Sequence, residues 1–365
     1  MEIGIVGLPN AGKSTIFNVL TKSNARAENF PFTTIEPNIG IVNVPDERLN
    51  FLYSNFKKEN TKCTPAFIKF IDIAGLVKGA SMGEGLGNKF LSNIRQVDAI
   101  AHVVRTFQNE NVAHVYGKID PVSDIEIINT ELILSDLEII KNNYSKIEKQ
   151  AKTGNKEFAK KLDILQKCKN ILETGKLLKS LDLNKDEIAE IKEYNFLTLK
   201  PVLYVFNIDE KEINNFNEKY KNLIEYVKSF KAEYIKISAK IEEDMINLSE
   251  EERKDFVNEF KIEYFGLDEF IIAAYKLLDL ITFFTMVGEN EIKAWAIKNG
   301  TTADKAAGKI HSDMEKGFIK VEVIKFKDIY EFKNIEKIRE NGLMQIHGRD
   351  YIVNDGDILF FKFNK

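Results

Sequence analysis

Gly7-Leu8-Pro9-Asn10-Ala11-Gly12-Lys13-Ser14-Thr15 have the residue types and order that cradle a chain of phosphates. The spacing is G-x-x-x-x-G-K-[ST]. Glycines let backbone N–H groups wrap an anion, and a helix opening at Lys13 adds its positive end. Asn10, Ala11, Gly12, Lys13, Ser14 and Thr15 are therefore expected on phosphate, with the Lys13 ammonium on the outer groups and the Ser14 hydroxyl on magnesium. Farther along, Asp72-Ile73-Ala74-Gly75 closes an apolar run. An Asp at such a strand end holds magnesium through its water shell, while the Gly75 N–H meets the γ-phosphate. Thr34, in the loop Asn29-Phe30-Pro31-Phe32-Thr33-Thr34, is expected to close on the same ion, in preference to Thr33.

A base-reading site is expected from two later segments. Asn207-Ile208-Asp209-Glu210 and Ser238-Ala239-Lys240 each follow an apolar run, where N-K-x-D and S-A-K occur in GTPases. The candidates are Asn207, Ile208, Glu210, Ser238 and Ala239. The Lys of N-K-x-D is replaced by Ile208 and the Asp by Glu210. A poorly fitted buried polar site loses discrimination, so two readings follow: weak guanine selection, or a switch to adenine.

The group that orients attacking water also departs from the common pattern. GTPases place a Gln directly after D-x-x-G, and this chain has Leu76, which cannot hydrogen-bond to water. His114, in the polar stretch Asn109 to His114, can take that role as a neutral imidazole; its plain alternative is a solvent-facing loop histidine. Asn10 can ligate potassium beside the phosphates, or simply pack the loop.

These residues need elements to position them. Short apolar runs at Ile3–Gly7, Ile39–Val44, Phe67–Ile71, Ala99–Val104, Val202–Phe206 and Tyr234–Ile237 read as buried strands of a largely parallel sheet, an α/β P-loop domain flanked by helices. Ile133, Leu137, Ile140, Tyr144, Ile147 and Ala151 then recur at helical spacing, Gly154-Asn155 makes a turn, and Phe158, Leu162, Leu165 and Leu172 resume the pattern. That is an inserted helical hairpin. From Glu138 to Ser180 it carries eleven Lys against five acidic residues, either a solvated face or a nucleic-acid contact. After Leu280 the pattern becomes β-rich, with a final hairpin expected from Gln345–Val353 and Ile358–Phe363. The expected domains are 1–125 with 197–280, the insert 126–196, and a C-terminal module 281–365.

Composition narrows the partners. A chain of 365 residues with net charge −4 has room for two or three domains and lacks a basic coat for DNA. Cys63 and Cys168 form no C-x-x-C pair, which suggests a reducing compartment. No apolar run reaches the ~20 residues of a membrane span, and none opens the chain as a signal peptide, so a soluble cytoplasmic protein is expected.

The motifs resemble the YchF or Obg-like ATPase family of the translation-factor class. The matching stretches are Gly7 to Thr15, Asn29 to Asn38, Asp72 to Ala80, Gly83 to Asn88, and the N-x-x-E at Asn207 to Glu210. The resemblance runs end to end, and it makes the C-terminal module similar to a TGS domain. It implies ATP preferred over GTP, with adenine held by Asn207 and the backbone near Ile208, Ala239 nearby, and a mobile-loop histidine at His114. It also implies a ribosome partner, chiefly the large subunit, for the hairpin and the TGS-like module. The alternatives are a translation GTPase of the same fold and a ribosome- or RNA-binding adaptor with a structural nucleotide site. The intact Lys13, Ser14 and Asp72 argue against the adaptor.

Overall fold

A computed structural model describes residues 1–25, 38–73, 85–108, 117, 119–246, 248–249, 251–252, 255, 266–287 and 290–364, with backbone alone at 23–25, 85–86 and 287. The chain divides into two compact units. The first comprises Met1–Gly40 and Lys69–Phe270, the second Ile41–Ile68 and Ile271–Lys365.

In the first unit, β1 (Glu2–Val6) runs parallel to β4 (Phe67–Asp72) on one side and β5 (Ala99–Arg105) on the other. Next to β5 come β6 (Val202–Asn207) and β7 (Glu233–Ile237), also parallel. The full order is β2-β4-β1-β5-β6-β7, with β2 at Ile39–Asn43. Every residue of β5 and β6 is buried, as expected of strands covered on both faces. Ile100, Val104, Tyr204 and Phe206 pack toward α3 (Gly85–Gln96), the first turns of α4 (Pro121–Ala151) and α8 (Lys221–Ser229). On the opposite face Ile3 and Ile5 are fully buried, as are Ile16 and Leu20 of α1 (Lys13–Ala25), which packs on α9 (Ala239–Ile246).

The insert is an extension of this unit. Its first helix, α4, begins at the N-cap Asp120, with Pro121 in the first turn, and is about 45 Å long at the usual helical rise. Ile133, Ile140 and Ile147 form its buried seam against Ile164, Leu165, Cys168 and Leu172 of α5 (Lys156–Glu173). Gly154 takes φ 86°, and Asn155 caps α5 by accepting from Glu157 N. A third helix, α6 (Lys185–Ile191), supplies Ile191 to the same core. Alternation of α4 and α5 therefore describes only part of a small three-helix cluster.

The base of the insert is fastened by Asp136, whose side chain is fully buried. Its carboxylate accepts from Leu197 N at 3.0 Å, Thr198 N at 2.8 Å and Thr198 Oγ1 at 2.7 Å. Arg95, near the end of α3, approaches it at 3.8 Å and donates to Ser135 Oγ at 2.6 Å and Asn195 O at 3.1 Å. Lys200 Nζ returns to Val97 O at 2.7 Å.

The second unit departs from the sequence reading in two ways. Residues 41–68, expected in the nucleotide domain, group with the C-terminal module: β3 (Lys62–Thr64) runs parallel to β9 (Glu291–Lys298). The expected final hairpin is also absent as a pair. β11 (Gln345–His347) and β12 (Ile358–Phe363) lie on either side of β10 (Phe318–Ile324), each antiparallel to it. The order is β11-β10-β12-β8-β9-β3, with β8 at Leu280–Val287. Ala303, Ala306 and Ala307 of the helix Ala303–Ile310 pack on Phe283, Val321, Val323 and Leu359 of this sheet. Asp357, 1% exposed, holds the last turn by accepting from Lys325 Nζ, Tyr351 Oη and Asn354 N at 2.7, 2.7 and 2.9 Å.

Asp136→Ala leaves two buried backbone N–H groups and one hydroxyl without their acceptor. It should lower unfolding stability by about 2–4 kcal/mol. Chemical denaturation followed by far-UV circular dichroism measures this. A loss under about 0.5 kcal/mol, the size of an ordinary surface change, would show that the carboxylate does not fasten the insert.

Candidate functional site

The phosphate loop leaves the sheet at β1, where neighbouring strands run off in opposite directions in the chain order. That is the position at which parallel α/β sheets bind ligands. Three residues of the loop have positive φ: Gly7 at 157°, Asn10 at 63° and Gly12 at 97°. Gly7 is nearly extended, so its need for glycine is steric: a Cβ there would come 2.4 Å from Val103 O. Gly12 needs glycine on both counts, because a Cβ would also meet Asn207 Nδ2 at 2.1 Å.

Lys13 is buried, and its ammonium donates to Leu8 O at 2.8 Å, within its own loop. Burial brings its pKa down to about 8, against the opposing pull of Asp72. Ser14 is exposed and its hydroxyl donates to Asp72 Oδ2 at 3.4 Å. The Asp72 carboxyl is pushed up by burial, with Lys13 and Ser14 acting in the other direction. Its Oδ1 is buried and has no hydrogen-bond partner among the described residues. An orphaned buried carboxylate oxygen beside a serine hydroxyl fits magnesium and its water shell, because oxygen donors with retained water are the coordination this ion takes.

Thr34, Gly75 and His114 lie outside the described residues. Of the phosphate residues expected from sequence, Asn10 to Thr15 stand together with Asp72 at the carboxyl end of the sheet.

On the base side, Asn207 ends β6 and is buried. Its Nδ2 donates to Ala11 O at 3.0 Å and its Oδ1 accepts from Ala239 N at 3.1 Å. One carboxamide thus ties the phosphate loop to the loop after β7. Its backbone oxygen accepts from Thr106 N and Thr106 Oγ1 at 3.0 and 2.9 Å, which adds the end of β5. Ile208 differs from expectation. Its side chain is 3% exposed and belongs to the core, and its N–H donates to Ile237 O at 2.9 Å, so neither is offered to a ligand. Ser238 is also buried, and its Oγ has no partner among the described residues. Glu210 opens a 3-10 turn, Glu210–Glu212, and its Oε2 lies 3.4 Å from Lys240 Nζ.

The sequence reading missed Thr106 and Lys240 as partners of this site. Lys240 was visible as the last residue of Ser238-Ala239-Lys240, but nothing in the spacing connects it with Glu210. His102, in β5, is a core residue. It is 2% exposed, and burial, with Lys13 and Lys179, brings its pKa down to about 3, so it stays neutral.

The hairpin's basic charge is smaller at the surface than its sequence count. Lys160, Lys161 and Lys167 pair with Glu190, Glu193 and Glu187, acidic residues of the following segment. Lys146, Lys149 and Lys156 are exposed and form no ion pair among the described residues.

Known proteins resemble this chain along its whole length. A protein named Ribosome-binding ATPase YchF from Buchnera aphidicola subsp. Acyrthosiphon pisum is 51% identical over 364 residues, covering 100% of this chain and 99% of the relative. Proteins of the same name from Escherichia coli O157:H7 and Bacillus subtilis are 48% and 46% identical, each with 100% of this chain and 99% of the relative covered. The solved structure of the Schizosaccharomyces pombe YchF GTPase superposes with a TM-score of 0.87 at 36% identity, over 99% of this chain and 97% of that one. A family model described as "50S ribosome-binding GTPase" matches residues 2–161. The C-terminal model for YchF GTPases, described as "Protein of unknown function (DUF933)", matches residues 280–364.

The lowered pKa of Lys13 gives the phosphate site a pH signature. The free protein loses this proton as pH rises through about 8, whereas polyphosphate binding returns it to the lysine. Binding above pH 8 therefore takes up a proton, and triphosphate affinity should fall by up to about tenfold per pH unit toward the ordinary lysine value. Titration calorimetry at pH 8.5 in two buffers of different ionisation heat reads the uptake directly. No proton uptake would mean that Lys13 is already charged in the free loop.

Proposed function

Because the chain belongs to the YchF family, we propose that it is a ribosome-associated ATPase that binds ATP with magnesium, hydrolyses the β–γ phosphoanhydride and switches conformation to modulate translation in the cytoplasm. One observation carries the reading: Lys13, Ser14 and Asp72 converge in a chain that matches, end to end, relatives named Ribosome-binding ATPase. In this reading Ala11, Gly12, Lys13, Ser14, Thr15 and Gly75 hold phosphates, and Ser14, Thr34 and the water-mediated Asp72 hold magnesium. Magnesium, when bound, neutralises charge on the β- and γ-oxygens. The exposed Asn10 takes potassium beside them. The base lies against the loops that Asn207 joins, near Glu210 and Ala239.

His114 orients the attacking water in place of the Gln that Leu76 replaces. The ribosomal contact is the large subunit, reached through the hairpin and the TGS-like module 281–365. No helix among the described residues is long and apolar enough to cross a membrane, which is compatible with a cytoplasmic location.

The names divide on the base, since the fission-yeast relative is called a GTPase. A translation GTPase of the same fold is therefore the second reading. Competition of ATP and GTP for the purified protein, with magnesium and potassium present, decides between them. ATP should win; equal or GTP-favoured binding makes the chain a GTPase. In the same preparation His114→Ala should cut turnover at least about tenfold while ATP affinity holds, as expected for loss of a general base. Unchanged turnover removes His114 from the mechanism.

Charge reversal at Lys146, Lys149 and Lys156 should weaken co-sedimentation with ribosomes, more steeply at low salt. Binding that survives the triple reversal places the contact elsewhere.

A further inference from the structure

The Glu210–Lys240 pair plays no part in holding phosphate, and its position in α9 is not explained by helix stability. Lys240 is in the first turn of α9, where the field of the helix disfavours a cation. Its side chain is 72% exposed, so it does not fill a core. What it does touch is the Glu210 carboxylate, 3.4 Å away and itself 31% exposed.

We propose that Lys240 is a specificity-determining residue that suppresses guanine binding by holding the Glu210 carboxylate and leaving it unavailable to the base. This rests on the nucleotide-binding reading above and deepens it. Guanine presents two adjacent donors, N1–H and its exocyclic amino group, and an ionised carboxylate can accept from both at once. Adenine has an acceptor at N1 and no such pair of donors. A lysine ammonium on the carboxylate therefore acts against guanine and leaves adenine almost untouched.

A second group points the same way. The Ala239 N–H, a donor that could meet guanine O6, instead donates to Asn207 Oδ1 at 3.1 Å. The backbone that carries Glu210 is fixed as well. Asp209 Oδ1 caps the turn by accepting from Lys211 N at 3.0 Å, and Glu212 accepts from Tyr220 Oη at 3.0 Å. Glu210 is thus a carboxylate on a firm turn, and its freedom to accept from a base is set by Lys240.

The test measures GTP and ATP affinities by displacement of a fluorescent nucleotide from wild type, Lys240→Met, Lys240→Arg and Lys240→Met/Glu210→Gln. Lys240→Met should bind GTP about fivefold more tightly than wild type, the size of what an exposed ion pair withholds, with ATP affinity within about twofold. Lys240→Arg should behave as wild type, and the double variant should lose the gain. GTP affinity unchanged in Lys240→Met overturns the inference, as does a gain that survives Glu210→Gln. Failure of the ATP preference looks different: wild type then binds both triphosphates alike, while Lys240→Met still gains GTP affinity. A wild type that binds neither triphosphate removes both.

Discussion

The Asn207 carboxamide is the point on which the nucleotide site depends. Its two ends bind Ala11 O and Ala239 N, so a single buried side chain from β6 sets the phosphate loop against the loop after β7. The loop after β7 leads straight into α9, which packs on α1, so the carboxamide adds to that helix contact. The bond is possible only because Gly12 has no Cβ, since one would overlap Asn207 Nδ2. The phosphate-side glycine and the base-side asparagine are therefore one device, although 195 positions of sequence numbering separate them in the chain.

A comparable economy of contacts joins the insert to the sheet. Asp136 and Arg95 connect the end of α3 with the start and return of the hairpin. Among the described residues α3 is the next helix after β4, and it ends at the root of the insert.

Much of this was legible in order along the chain. The six runs read as strands are the six strands of the first sheet, because short apolar runs separated by helices and loops bury well in a parallel sheet that helices cover. The hairpin seam at Ile133, Ile140 and Ile147 was legible for the same reason, in its helical period. Less local features were not. The grouping of residues 41–68 with the second unit was not legible, since β3 is three residues long and its partner β9 lies more than 200 positions along the chain. β11 and β12 look like a hairpin in sequence, yet β10 lies between them, because hydrogen-bonding order in a sheet is not encoded by distance along the chain.

The sequence by itself determined which residues can serve a phosphate site. Gly12, Lys13, Ser14 and Asp72 offer backbone freedom, charge and oxygen donors, properties that belong to the residue type and survive any reading of the fold. Tertiary structure decided how the base side is arranged: that Asn207 holds loops together, that Ile208 turns into the core, and that Glu210 faces Lys240. It also decided how much of the hairpin's positive charge remains at the surface, once Glu187, Glu190 and Glu193 fold back beside its lysines. The physical reason is range. A motif of contiguous residues carries its geometry in local dihedrals, whereas a side chain's partner across strands is fixed only when packing brings distant segments within about 4 Å.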